Sequence, residues 1–179
     1  MSVLTVPEAK KHLNIEVGTY DDEIQDVIDA AEAAIAQRCG PLEPTVVTTR
    51  ALGNGGTIAL PHYPVVSLTS ITPEGSTALD ISGVYADSVN GVLSYSNGAT
   101  FATSTHTVVY TAGRASCPPD LLMAVKELVK HLWQPQRGGS KRPGTGGGDS
   151  YSNTVPGAAY AFPFRVEQLI APHEHLGFA

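Results

Sequence analysis

Charged side chains are scarce in this 179-residue sequence: Asp, Glu, Lys and Arg make up 16%, against roughly a quarter of an average globular chain. A surface so poor in charge is kept soluble by small polar residues or is covered by partners, and partner cover is the reading favoured here. Basic residues are the scarcer sign. Eleven Lys and Arg face 17 Asp and Glu, a net charge of −6, which argues against a general nucleic-acid binder. Cysteine is nearly missing. Cys39 and Cys117 lie far apart with no histidine pair nearby, so they make no zinc motif. They fit thiols in a reducing compartment, with one disulfide between them as the alternative. No apolar run is long enough to cross a bilayer and no signal-peptide pattern opens the chain, so no membrane partner is expected. No internal repeat is present.

Recognisable catalytic chemistry is missing too. The stretch "GGSKRPGTGGGD" lacks the Gly-Lys-Ser/Thr that would set an ammonium and a hydroxyl on a nucleotide's phosphates, and no strand leads into it. No Gly-x-Ser-x-Gly elbow occurs. His173 and His175 are two apart with no third ligand near, and they read as a solvated tail rather than a metal site. His131, beside Trp133, reads as a helix residue at the core edge. Cys117 precedes a helix start that could lower a thiol pKa, but no base partner is placed beside it. The sequence therefore offers no catalytic residue, no metal ligand set and no cofactor site, which moves the weight from catalysis to assembly.

What is present divides by its grammar. "LTVPEAKKHLNI" carries Thr5 and Glu8 in capping-box spacing with Pro7 in the first turn, and predicts a short helix with Val6, Ala9 and Leu13 on one side. "TYDDEIQDVIDAAEAAIAQRCGP" is the clearest helix. Acids crowd its first turn, where the helix dipole favours them, and Ile24, Val27, Ile28, Ala31 and Ile35 recur at helical spacing. Gly40 and Pro41 stop it. From about Thr45 to Thr111 short β-branched runs alternate with turn signals, predicting a small antiparallel lobe of five or six strands. Asn90–Gly91 reads as a tight hairpin turn. "CPPDLLMAVKELVKHLW" restores helical spacing with a broad apolar stripe: Leu121, Val125, Leu128 and Leu132 form one row, and Leu122, Val129 and Trp133 the next. Pro135 is expected to end it. "PFRVEQLIAP" predicts a last short helix bounded by Pro163 and Pro172.

The fold class that follows is α+β: a small helical bundle, made of the N-terminal helices, helix 119–134 and a short C-terminal helix, carrying an inserted antiparallel β lobe. The expected divisions are 1–40 (N-terminal helices), 41–112 (β lobe), 113–134 (core helix), 135–162 (a glycine-rich, flexible arm) and 163–179 (C-terminal helix and tail). A structureless connection of that length inside a small domain is usually functional or disordered.

Charge is also unevenly spread. Residues 1–40 are acidic, and residues 114–142 are basic. An acidic face meeting a basic face on the next copy would suit head-to-tail association. The residues expected there are Asp22, Glu23, Asp26 and Asp29 on one side and Arg114, Lys126 and Lys130 on the other. Two solvated helix faces are the plainer reading.

The order "LTVPEAKKHLNI", "DDEIQDVIDAAEAAIAQRCG", "LPHYPVVSLTSIT", "YTAGRASCPPDLLMAVKELVKHLWQPQRG" and "FRVEQLIAPH" resembles the head–tail connector (neck adaptor) proteins of tailed bacteriophages and related particles. The resemblance spans most of the chain. It rests on the order and spacing of these segments more than on any one motif, and between Pro73 and His106 little matches beyond β character. It implies a structural virion protein and no enzyme. Such adaptors form a ring of about twelve copies in the neck, between head and tail, after assembly in the host cytoplasm. The implied partners are other copies of the chain, the portal protein, a downstream neck or tail-terminator protein, and genome DNA passing through without sequence-specific binding. The arm and last helix are expected to reach the portal, with Phe162, Phe164, Val166, Leu169 and Ile170 as anchors and Arg137, Lys141 and Arg142 as polar contacts. The other readings kept are a stopper or tail-completion protein, and a β-rich carbohydrate-binding module using Tyr63, Tyr85 and Tyr95.

Overall fold

The computed structural model describes residues 2–136 and 162–174. Within them the chain forms two units: residues 2–38 with 118–174 are helical, and residues 39–117 are β.

In the helical unit, α1 (Val6–Leu13) starts at Thr5. The Thr5 backbone N–H and hydroxyl both donate to Glu8 Oε2, at 3.1 and 2.8 Å. Those two bonds hold the Glu8 carboxyl below the usual carboxylate range and satisfy donors that a helix start leaves over. Asn14, at φ 59°, turns the chain out of the helix, a conformation asparagine tolerates better than most residues. A 3-10 turn (Gly18–Tyr20) leads into α2 (Asp21–Cys39). Its Ile24, Val27, Ile28, Ala31 and Ile35 are all buried; full burial of such aliphatic side chains contributes about 1.5–3 kcal/mol each. Gly40 follows at φ +74° and Pro41 prevents continuation. The segment before α1 is tied to α2 by Glu32, whose Oε1 accepts from Ser2 Oγ at 2.7 Å and from the Leu4 N–H at 3.0 Å.

Helix α3 (Pro119–Gln136) buries Leu121, Ala124, Val125, Leu128, Val129 and Trp133. It runs one residue past Pro135, where the sequence predicts a stop. A proline in the final turn removes a single hydrogen bond and leaves the turns before it intact. Helix α4 (Phe164–Ile170) packs on α3 and ends in a 3-10 turn, Ala171–His173.

The β unit contains six strands: β1 (Thr45–Leu52), β2 (Thr57–Ala59), β3 (Val65–Pro73), β4 (Val84–Asp87), β5 (Val92–Tyr95) and β6 (Thr105–Ala112). They form two antiparallel three-stranded sheets, ordered β1-β6-β3 and β2-β5-β4. The central strand β6 alternates cleanly, with His106, Val108, Tyr110 and Ala112 buried, as a strand with one covered face must. Ile58 and Leu93 from the second sheet join Ala51, Ile71, Val108 and Tyr110 in one core. The buried Tyr110 hydroxyl accepts the His62 N–H at 3.2 Å. The turn at Asn90–Gly91 is wider than predicted. Asp87 pairs with Val92, so four residues make the loop. Asp87 organises it by accepting from the Val89 and Asn90 N–H groups and from Asn90 Nδ2, and these bonds lower its pKa. A carboxylate preceding the turn thus sets a longer loop than the Asn-Gly pair alone suggests.

Candidate assembly surfaces

Among the described residues no cluster of His, Cys, Asp or Glu is arranged to hold a metal ion, and no helix is long and apolar enough to cross a membrane. Cys39 is buried and Cys117 half-buried, and both are thiols. Three surfaces carry the residues singled out by the sequence.

The first is the acidic face of α2. Asp22, Asp26 and Asp29 are exposed at i, i+4 and i+7, with Glu23 exposed beside them, so the helix presents them along one side. Gln25 Nε2 donates to Asp29 Oδ1 at 2.7 Å. On α3, Lys130 is exposed and Lys126 half-buried; the Lys126 ammonium helps to lower the Glu8 pKa. No ion pair joins Asp22, Asp26 or Asp29 to Lys126 or Lys130 among the described residues. Arg114, expected at the contact between copies, is half-buried and engaged within its own chain. Its Nη1 donates to the Cys39 and Pro41 carbonyls at 2.9 and 3.3 Å. The carbonyl of the last residue of α2 and that of Pro41, two residues on, together present acceptors to a guanidinium, and Arg114 meets them within its own chain.

The second surface is the C-terminal clasp. Val166 and Ile170 have no solvent exposure, so the expectation that they are available to anchor a partner is corrected: they complete the core of their own helical unit. Leu169 and Phe162 are half-buried, and the Phe162 ring lies under the Arg38 guanidinium at 4.6 Å. Arg38 also reaches Glu174 at 3.4 Å and Glu167 at 3.9 Å. Arg165 lies 3.7 Å from Glu127. His173 is not a solvated tail residue: its Nε2 sits 2.6 Å from Asp120 Oδ2, and that bond is the main reason the Asp120 pKa is lowered. Only Phe164 turns outward, 72% exposed. Sequence periodicity alone could not separate Phe164 from Val166, because a seven-residue helix spans barely two turns. Arg137, Lys141 and Arg142, with most of the glycine-rich segment and His175, lie outside the described residues.

The third surface is the β unit, which has six charged residues: Glu43, Arg50, Glu74, Asp80, Asp87 and Arg114. Arg50 pairs with Glu74 at 2.8 Å. Asp80 accepts from the Ser82 N–H and hydroxyl, which lowers its pKa. Asp87 and Arg114 are engaged as described. The outer face of the first sheet carries Val46, Thr48, Arg50 and Leu52 opposite Thr111, Val109, Thr107 and Thr105, and Val46 and Leu52 are 70% and 67% exposed. Such a face suits protein contact and has little to offer phosphate, which needs uncommitted cations. The tyrosines make no sugar platform. Tyr63 and Tyr95 pack against the core, Tyr95 with its ring 4.5 Å from that of Phe101, and only Tyr85 is exposed.

No curated protein matches this chain. Solved structures do. A chain from the neck of an empty gene transfer agent (GTA) particle, computed with C6 symmetry, aligns with TM-score 0.69 at 21% identity, over 99% of this chain and 92% of that one. A chain from the neck of the native GTA particle, computed with C12 symmetry, aligns with TM-score 0.67 at 21% identity, over 97% and 90%. One from the virion of the native GTA particle aligns with TM-score 0.69 at 22% identity, over 99% and 92%. At these identities the likeness is one of fold. The sequence model of the head completion protein family matches residues 2–176, which takes in both the helical and the β unit. The chain therefore belongs to the head completion protein family, within the head–tail connector class that its sequence resembles.

Proposed function

We propose that this chain is a structural adaptor of the virion neck: copies form a ring at the head's exit, extend the DNA channel, dock on the portal and present a platform to the next neck or tail protein. The observation that carries this reading is the family match running through residues 2–176. Its role is structural rather than enzymatic. The neck fold it shares comes from particles whose necks were computed with C6 and C12 symmetry, which supports a ring of many copies here as well.

The surfaces fit that role. Within the ring, the acidic row Asp22, Glu23, Asp26 and Asp29 of one copy faces Lys126 and Lys130 of the next. The β unit, where Arg50, Glu74, Asp80, Asp87 and Arg114 are engaged locally, supplies contact area poor in free cations rather than a cationic channel wall. Portal contact falls to the basic stretch with Arg137, Lys141 and Arg142. DNA passes without being gripped, because a continuous lysine or arginine lining would bind phosphates and release counterions.

Native mass spectrometry of the chain alone and with its portal tests the reading. Rings that join the portal directly support an adaptor. Rings that join only a preformed portal–adaptor complex identify a stopper, and a chain that neither self-associates nor enters particles refutes a neck role.

A further inference from the structure

The helical unit carries an apolar recess and an exposed apolar knob that do not meet. The recess, about 290 Å³, is lined by Asn14, Ile15, Glu16, Val17, Tyr20 and Trp133. Trp133 and Tyr20 meet edge to face at 6.1 Å between ring centroids, and Val17 is 56% exposed. A cavity of about 150 Å³ already accepts a benzene ring, so this recess has room for a phenylalanine side chain. The knob is Phe164, 72% exposed at the start of α4. Arg165 follows it, 67% exposed and 3.7 Å from Glu127.

Knob and recess face different ways. Arg165 fixes the start of α4 beside Glu127, and Trp133 lies six residues further along α3. At about 100° per residue, those two positions point about 120° apart around the helix. Phe164 does not line the recess of its own chain. The charges at the two features are complementary: Arg165 adjoins the knob, and exposed Glu16 lines the recess. Each also continues a surface already described. The recess lies just before the acidic row of α2, and Lys130 is one turn along α3 from Glu127.

We infer that Phe164 of one copy inserts into the Ile15–Val17–Tyr20–Trp133 recess of the next, with Arg165 meeting Glu16. A knob that fits a pocket elsewhere on the same molecule makes a head-to-tail contact, which closes into a ring when the rotation permits. The inference rests on the neck-ring reading and names its interface.

The test places a photo-crosslinking phenylalanine analogue, p-benzoylphenylalanine, at position 164 of the full chain. Assembled particles are irradiated and the adducts mapped. The expected adduct joins two copies of this chain, with the label on residues 14–20 or on Trp133. An adduct to another protein, to a different part of a second copy, or no adduct in particles that contain the chain overturns the contact and leaves the neck role standing. A chain missing from particles, with the unlabelled chain missing as well, overturns the neck role itself. A charge exchange gives a second readout. Arg165→Glu should weaken self-association at least about tenfold, in the range of a centrally placed interface residue, and adding Glu16→Arg to the same chain should restore most of it. No rescue overturns the Arg165–Glu16 pairing.

Discussion

Shortening Ile170 to alanine removes roughly three carbon groups from a side chain with no solvent exposure in the helical unit. At about 0.8 kcal/mol per buried methylene the transfer cost is about 2.4 kcal/mol. The cavity left behind adds to it, giving about 2–5 kcal/mol for a change of this kind. A loss of about 3 kcal/mol corresponds to a fall in Tm of roughly 6–12 °C for a chain of this size. Phe164→Ala on the same helix is the matched control. It removes a larger side chain that is 72% exposed, so the isolated chain should change by no more than about 0.5 kcal/mol. Thermal melting followed by circular dichroism at dilute, non-associating concentration separates the two. Equal melting temperatures for the two variants would refute the argument, since α4 would then be a loosely attached arm rather than part of the core.

Three further outcomes are expected. Gly53→Ala should destabilise the β unit by about 3 kcal/mol, the upper part of the overpacking range: an added Cβ would run into the Ala102 carbonyl oxygen and come within 2.7 Å of His106 Cε1; an unchanged chemical-denaturation midpoint would contradict this. Acid should loosen the C-terminal clasp. The folded Asp120 pKa is lowered by His173, so its contribution is present above the ordinary aspartate value of about 3.9 and is lost as pH falls below that value through the folded pKa; melting scans from pH 5 to 2 should show a steeper decline for the parent than for Asp120→Asn, and parallel curves would count against the latch. Reversing Lys126 and Lys130 to glutamate should weaken ring formation, more so at low salt because exposed pairs are screened, and sedimentation profiles that do not change would remove those lysines from the interface.

Much of the local structure was legible in the sequence because its causes are local. Thr5 and Glu8 make a capping box from residues three apart, the acids of α2 sit where its own dipole wants them, and Gly40–Pro41 ends it by backbone geometry alone. The period of Ile24, Val27, Ile28, Ala31 and Ile35 states which face is covered, though not by what. Alternation in "THTVVYTA" announces a strand with one buried face, but only long-range pairing makes it the centre of the β1-β6-β3 sheet. The fates of single charged and apolar residues were decided by tertiary structure. Arg114 in a basic stretch reads as a surface cation until the Cys39 and Pro41 carbonyls are seen beside it. His173 reads as tail until Asp120, 53 residues away in sequence, arrives at 2.6 Å. Val166, Ile170 and Phe164 are equally apolar on paper, and only docking on α3 sends two of them inward and leaves the third facing solvent. Capping, periodicity and turn chemistry act over a few residues and are written in order along the chain. Burial and ion pairing depend on which distant segment arrives, and that is settled only when the whole core closes.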